Sequence, residues 1–277
     1  MKKLTINRQV EKKIHKGYKI LEKIDFGQLP FDNEVVELVT TSGHFVGTAY
    51  LSEQNKGLGW IISTKRITLD QDYFCHLFAE AKSKRQSYYQ SELDTAFRIF
   101  NQEGDGFGGL TIDLYEDYAV FSIYNAFVYQ IRELIVATFQ EVFPEVLGGY
   151  EKIRFKDPGY ESAHLFGQEA PETFCILENG VRYQVFLNDG LMTGIFLDQH
   201  EVRASLVDGL ATGKTLLNMF SYTAAFSVAA AMGGALETTS VDLAKRSREL
   251  SEAHFVANGL ELDQHRFIVM DVFDYYK

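Results

Sequence analysis

Apolar and polar positions alternate with a period near two through VVELVT (35–40), HFVGTAYLS (44–52) and LGWIIS (58–63), which predicts short strands separated by Ser42-Gly43 and Asn55-Lys56-Gly57 turns. At Asp70 the period lengthens. Phe74, Leu77, Phe78 and Ala81 recur at helical spacing, so 71–90 reads as an amphipathic helix with Asp70 or Asp72 near its start. AFRIF (96–100), GLTIDLY (109–115) and YAVFSIY (118–124) return to strand, with the glycine-rich stretch 103–109 between the first two. A strand follows those glycines rather than a helix N-terminus, so they read as a hairpin turn and not as a phosphate cradle. Residues 127–143 form a further helix with Phe127, Ile131, Leu134, Ile135, Thr138 and Val142 on one face. Pro144, Pro158 and Pro171 punctuate the stretch after it, and Asn179-Gly180 joins FCILE to VRYQVFL as a hairpin.

From Lys214 onward the pattern changes again. KTLLNMF is a continuous apolar strand, SYTAAFSVAAAMGGA a small-residue helix, ETTSVD a second strand, LAKRSRELSEAHFVANG a long helix and RFIVMDVF a third strand. This β-α-β-α-β alternation implies parallel strands with right-handed crossovers, half of a doubly wound sheet. Ligands in such sheets sit beyond the carboxyl ends of the strands, here Asn218 to Thr223, Asp242 and Asp271. A dinucleotide would need glycines in the first turn so that the backbone can press against a pyrophosphate. Phe220-Ser221-Tyr222-Thr223-Ala224-Ala225 has none. S-adenosylmethionine carries no phosphate, and it suits two acids at the ends of strands two and three: Asp242 for the ribose hydroxyls and Asp271 for the adenine amine. Either aspartate is equally the residue type that caps a helix.

Taken in order, TGxFLDQ (193–199), LNxFSYT (217–223), SVD (240–242), NG (258–259) and DVF (271–273) resemble the class I S-adenosylmethionine-dependent ribosomal RNA methyltransferases of the large-subunit cytosine-C5 type. The resemblance covers the whole chain, including an NGEGDGxxGLTxD-like turn at Asn101 to Asp113. It implies an α/β multidomain fold: a PUA-like RNA-binding β module at 1–72, a middle α/β domain at 73–172, and a hairpin leading into the first half of a Rossmann-like methyltransferase domain at 173–277. It also implies that Gln199 lies against the cofactor and that Asn218, Phe220, Ser221, Tyr222 and Thr223 form its methionine-side loop. Asp242 and Asp271 would hold ribose and adenine. Asp198 and Arg203 are open between an ion pair bracing the loop and direct cofactor contact, and Tyr222 between core and site. Two positions depart from the family pattern: Ala224 and Ala225 stand in place of glycines, and His200 in place of an arginine.

Composition narrows the rest. With 46% hydrophobic and 14% aromatic residues the chain is globular, and no apolar run reaches the length of a membrane span. The N-terminus lacks an apolar signal region, so a cytoplasmic location is expected. Cys75 and Cys175 fit no disulfide framework or metal pattern. The net charge of −11 argues against nucleic acid until its distribution is considered, because residues 1–24 carry eight bases and two acids. Arg8, Lys12, Lys13 and Lys16 of that basic arm are the candidate RNA phosphate contacts. Cytosine C5 methylation needs a cysteine thiolate that adds to C6. Neither cysteine is placed for it, so the chain reads as a fragment, with its catalytic residues expected beyond Lys277, weak cofactor binding and no turnover. The first strand of the doubly wound sheet is then an open edge, an aggregation or swapping hazard that leaves room for a homodimer. The other readings are an RNA-binding protein on a degenerate methyltransferase scaffold and a methyltransferase of a different acceptor.

Overall fold

KKLT forms strand β1 (Lys2–Thr5) and RQVEKKIH helix α1 (Arg8–His15) in the computed structural model, which describes residues 1–277 except 28, 30, 31, 56, 157 and 158. The expected turn at Lys56 and break at Pro158 therefore lie outside the described residues. Asn7 starts α1 by accepting the amides of Gln9 and Val10 at 2.9 and 3.0 Å. Next come β2 (Ile20–Glu22), β3 (Glu34–Val39), β4 (Phe45–Gln54) and β5 (Gly57–Ser63), in a sheet of order β1-β3-β4-β5-β2. β1 runs parallel to β3 and the other pairs are antiparallel.

The basic N-terminus is thus no arm: it supplies both edge strands and a helix of this module. Leu4, Ile6, Val10, Ile14 and Leu21 carry it into the core beside Val36, Leu38 and Leu51. Its charges stay outside or pair locally, as Lys2 does with Glu34 at 2.8 Å.

Helices α2 (Gln71–Lys84) and α3 (Gln86–Tyr89) stand where one helix is expected, broken at Arg85. Asp70 caps α2 by accepting the Tyr73 amide at 3.0 Å. Strands β6 (Ala96–Asn101), β7 (Leu110–Tyr115) and β8 (Tyr118–Ile123) precede helices α4 (Ala126–Gln130) and α5 (Arg132–Val142), again two helices in place of one. β9 (Gly148–Ile153) and β10 (Ser162–Gly167) complete a meander of order β10-β9-β8-β7-β6. Phe74, Phe78, Phe100, Phe107, Phe121 and Phe139 fill its core, several of them edge to face.

A hairpin, β11 (Phe174–Glu178) and β12 (Val181–Val185), leads to helix α6 (His200–Ser205) and then to the expected alternation. That alternation is β13 (Thr215–Met219), α7 (Ala225–Met232), β14 (Glu237–Asp242), α8 (Lys245–Ala257), β15 (His265–Val269) and α9 (Val272–Tyr275). The sheet is parallel in the order β13-β14-β15, and among the described residues β13 has a neighbour on one side alone. DVF, expected as the end of the third strand, instead turns into α9.

The chain divides into two compact units. One comprises 1–85, 99–112 and 119–167, and the other 86–98, 113–118 and 168–277. The PUA-like module and most of the middle segment, expected as separate domains, fall together in the first. The reason lies at the glycine turn: the Tyr50 hydroxyl on β4 donates to the Gly108 carbonyl at 2.8 Å, and Asn125 donates to that same hydroxyl at 3.0 Å. Trp60 packs so closely on Gly108 that a Cβ there would stand 2.3 Å from the indole. Gly108 and Gly109 therefore serve the close approach of Trp60, Tyr50 and Asn125, and the turn leads into strand β7 as a hairpin does.

Candidate functional site

The parallel strands of the second unit end beside a cavity of about 370 Å³. Gln199, Phe220, Ser221, Tyr222 and Thr223 line it, together with Phe196, Asp198 and Arg203. Asn218, Asp242 and Asp271 do not. Asn218 turns to α7, donating to Ser227 Oγ at 3.1 Å, and that hydroxyl meets Ser240 Oγ on β14 at 2.8 Å.

Asp242 holds the loop from below. Its Oδ2 accepts the Tyr222 amide at 2.8 Å and its Oδ1 the Ala244 amide at 2.9 Å. It is not the cap of α8, whose first flanking residue is Ala244. Each carboxylate oxygen keeps a second lone pair, so the acid has capacity for a pair of ribose hydroxyls. Asp271 does cap a helix: its Oδ1 accepts the Phe273 amide at 2.8 Å and the Asp274 amide at 3.3 Å. Both bonds fall on one oxygen.

The loop after β13 has an unusual backbone. Phe220, Tyr222 and Ala224 all take left-handed conformations, with φ of 55°, 51° and 58°. Ala224 adopts the conformation in which a glycine is expected, while Ala225 is simply the first residue of α7. Left-handed alanine costs about 1–2 kcal/mol, and such strain persists only where the surroundings fix the chain. Here they do. Ser221 N donates to Val241 O at 3.0 Å and Ala224 N to Ser221 O at 2.8 Å. Thr223 Oγ1 donates to the Gly194 carbonyl at 2.7 Å, and Gly194 N donates to the Tyr222 hydroxyl at 3.0 Å.

Gly194 itself has φ of 98°, and a Cβ would stand 2.8 Å from Gln184 O. The TGIFLDQ segment and the FSYT loop are therefore joined through both backbone groups of one glycine. Burial pushes the Tyr222 phenol above its ordinary range, so it stays protonated and belongs to core and site at once.

Arg203 does not brace Asp198. Its guanidinium forms a bidentate pair with Glu178 at 2.5 and 2.8 Å and donates to the Phe196 carbonyl at 2.7 Å, with both charged side chains fully buried. A buried bidentate pair neutralises both partners, so Asp198, exposed at the cavity wall, is a carboxylate with no ion pair among the described residues. Glu178 carries no motif; a glutamate closing a hairpin strand gives no sign in sequence of the partner it will meet. His200, in place of the family's arginine, sets its Nε2 2.9 Å from Asp94 Oδ1.

Of the four basic candidates, Arg8 and Lys12 on α1, and Lys16 just after it, are exposed and four residues apart. Lys13 is different: its ammonium lies 2.6 Å from Glu22 and 2.7 Å from Asp25, which raise its pKa. Neither cysteine lines the cavity. Burial and the nearby Glu141 raise the Cys75 thiol, opposite to what a nucleophile needs. Among the described residues there is no cluster fit for a metal and no helix long and apolar enough to cross a membrane.

A three-strand parallel sheet with a cavity at its carboxyl ends, an acid after the second strand and no phosphate-binding glycines defines a nucleoside-cofactor domain of the Rossmann-like class. Comparison with known proteins makes this specific. Residues 152–277 match the family model of S-adenosylmethionine-dependent methyltransferases, and residues 4–64 that of the PUA-like domain. Bacillus subtilis YwbD, provisionally named a ribosomal RNA large subunit methyltransferase, is 40% identical over all of this chain and 72% of its own length. Ribosomal RNA large subunit methyltransferase I of Aeromonas salmonicida is 33% identical over 88% of this chain and 63% of its own.

A Streptococcus mutans structure, described as a provisional SAM-dependent methyltransferase, superposes with a TM-score of 0.96 at 60% identity, over all of this chain and 72% of that one. A methyltransferase structure complexed with SAH gives the same figures. The chain belongs to the S-adenosylmethionine-dependent methyltransferases that carry an N-terminal PUA-like domain, and S-adenosylmethionine is its cofactor.

Proposed function

We propose that the protein transfers the methyl group of S-adenosylmethionine to a base of large-subunit ribosomal RNA in the cytoplasm; cytosine C5, the acceptor atom that the resemblance implies, requires in addition a cysteine nucleophile, which neither Cys75 nor Cys175 is placed to supply. The observation that carries the cofactor half of this reading is the cavity joined to Asp242 through the Tyr222 amide. When bound, the cofactor supplies an electrophilic methyl on a sulfonium.

The chain's own residues hold and orient. Asp242 takes the ribose hydroxyls with its remaining lone pairs, and Asp271 takes the adenine amine with Oδ2. Ser221, Tyr222, Thr223, Phe220 and Gln199 surround the methionine end, and Asn218 stiffens the strand below it. Asp198 receives the ammonium by charge. The base enters unstacked from its neighbours. Arg8, Lys12 and Lys16 meet backbone phosphates, and Lys13 keeps α1 seated by holding Glu22 and Asp25.

The RNA half follows from the names of the relatives and from the basic face of α1. Incubation with S-adenosylmethionine and unmodified large-subunit RNA, then nuclease digestion and mass spectrometry, tests both halves. A methyl on a base is expected, on cytosine C5 only where a cysteine nucleophile reaches C6. A methyl on another atom moves the acceptor, and S-adenosylhomocysteine binding without transfer favours the RNA-binding scaffold. Replacing Arg8, Lys12 and Lys16 by Ala is expected to flatten the slope of RNA affinity against salt, on logarithmic axes, by about one for each phosphate no longer neutralised.

A further inference from the structure

His254 lies on α8, is fully buried, and has no place in the roles above. Its Nδ1 is 2.9 Å from the carbonyl oxygen of Thr223, and its Nε2 is 2.9 Å from the carbonyl oxygen of Gln184. Both partners accept and neither donates. Burial holds this histidine below its ordinary range, so the ring is neutral at physiological pH and carries one proton for two carbonyls. The edge-on ring of Tyr183 closes one side at 5.6 Å between centroids.

The two carbonyls differ in what else holds them. Gln184 lies in β12, whose register with β11 runs through five residue pairs. β12 is also clamped to α8 by Asn258, which accepts from Arg182 N at 2.8 Å and donates to Arg182 O at 2.7 Å. Thr223 lies in the strained loop. Because Ala224 is left-handed, the Thr223 carbonyl stands outside the ladder of α7, which begins with Val228 N donating to Ala224 O at 3.0 Å. Among the described residues His254 is the donor placed on it.

We propose that His254 is a positioning residue for the cofactor loop: its ring proton sits on Nδ1 and, through the Thr223 carbonyl, fixes Ser221 to Ala224 in the conformation that lines the cavity. This rests on the cofactor reading above. The two amide residues separate the two nitrogens, since the Asn amide nitrogen falls near the place of Nδ1 and the Gln amide nitrogen near that of Nε2. His254→Asn keeps a donor on Thr223, whereas His254→Gln keeps one on Gln184.

The expected result in calorimetry with S-adenosylhomocysteine is a Kd within about threefold of wild type for H254N and weakened about tenfold for H254Q, the size of one missing hydrogen bond. Thermal midpoints should fall alike in both. Equal weakening in the two variants overturns the proposal, because a merely structural role tracks stability and not which nitrogen is replaced. Nitrogen NMR of the His254 ring in the wild-type protein decides the matter should a variant not fold: the Nδ1–H tautomer is expected, and Nε2–H overturns it. Wild-type protein that binds no S-adenosylhomocysteine at about 1 mM counts against the cofactor reading, while the ring tautomer still judges the role of His254.

Discussion

Two tight turns in this molecule are built on opposite plans. The turn at 102–109 places glycine at two of its three left-handed positions, with φ of 99° at Gly106 and 83° at Gly109, the third being Gln102 at its entrance with φ of 45°. The turn at 220–224 places Phe, Tyr and Ala at such positions. In the first, shape decides at the glycines: Gly108 and Gly109 are required because Trp60, Tyr50 and Asn125 leave no room for a Cβ, while Asp105 ties the turn to Arg85 and to the Asn101 amide. In the second, polar contacts from Asp242, Gly194 and His254 hold the backbone against its own preference. Glycine lowers the strain of a turn, whereas bulky left-handed residues present side chains to a cavity and leave the strain to be offset by neighbours. The turn at the cofactor site carries three such residues, the other turn one.

The largest test of this contrast is Gly109→Ala. Its Cβ would meet Asn125 Nδ2 at 2.4 Å and the Tyr50 hydroxyl at 2.6 Å, at a residue whose φ already disfavours any side chain. A loss of about 3 kcal/mol is expected from the overpacking and the backbone together. Urea unfolding measures it. A loss under about 1 kcal/mol would mean that the Tyr50–Asn125 network yields and that shape does not decide this turn.

A smaller effect is expected from exchanging the two plans. Ala224→Gly relieves a left-handed alanine but gains backbone freedom in the unfolded chain, and should stabilise by about 0.5 kcal/mol. Gly106→Ala does the reverse and meets Leu77 Cδ2 at 3.0 Å, so about 1–2 kcal/mol should be lost. Opposite signs sharpen the comparison, and equal signs break it.

Much of this was legible in the residues. The β-α-β-α-β alternation, the hairpin and the cavity-lining role of residues 220–223 follow from period and position alone. What was hidden has physical causes. β1 and β2 are four and three residues long, too short to show a period, and they lie among lysines that mimic a solvated arm. The strand GGYEKI of β9 sets glycine and charge at positions that the meander buries, and SAHLFG of β10 lies half-exposed at the sheet edge, with no alternation to announce it. Asp242 and Asp271 look identical as acids at strand ends, yet only the second caps a helix, because Asp271 stands immediately before α9 whereas Asp242 is the last residue of β14 and α8 starts three residues later. Arg203–Glu178 and His254–Thr223 join residues 25 and 31 apart, and no local pattern announces such partners.

The smallest effect concerns pH, and it is read at the carboxylate beside the hairpin, the first turn having its own in Asp105, paired with Arg85 at 2.6 Å. Asp94 lies beside the hairpin and α6. Burial raises its carboxyl, but the Asn179 amide at 2.9 Å, His200 and Ser91 outweigh that, and the net shift is downward. A carboxylate held below its unfolded value stabilises the fold above the ordinary aspartate range, and that contribution is lost as pH falls through the folded value. Between about pH 5 and pH 3, hydrogen exchange at 178–201 is therefore expected to accelerate before exchange at 102–112. Asp94→Asn should remove that difference while lowering stability at pH 7. If both segments loosen together in wild type, or if the asparagine variant keeps the difference, acid acts through the whole molecule and the two regions do not differ in this respect.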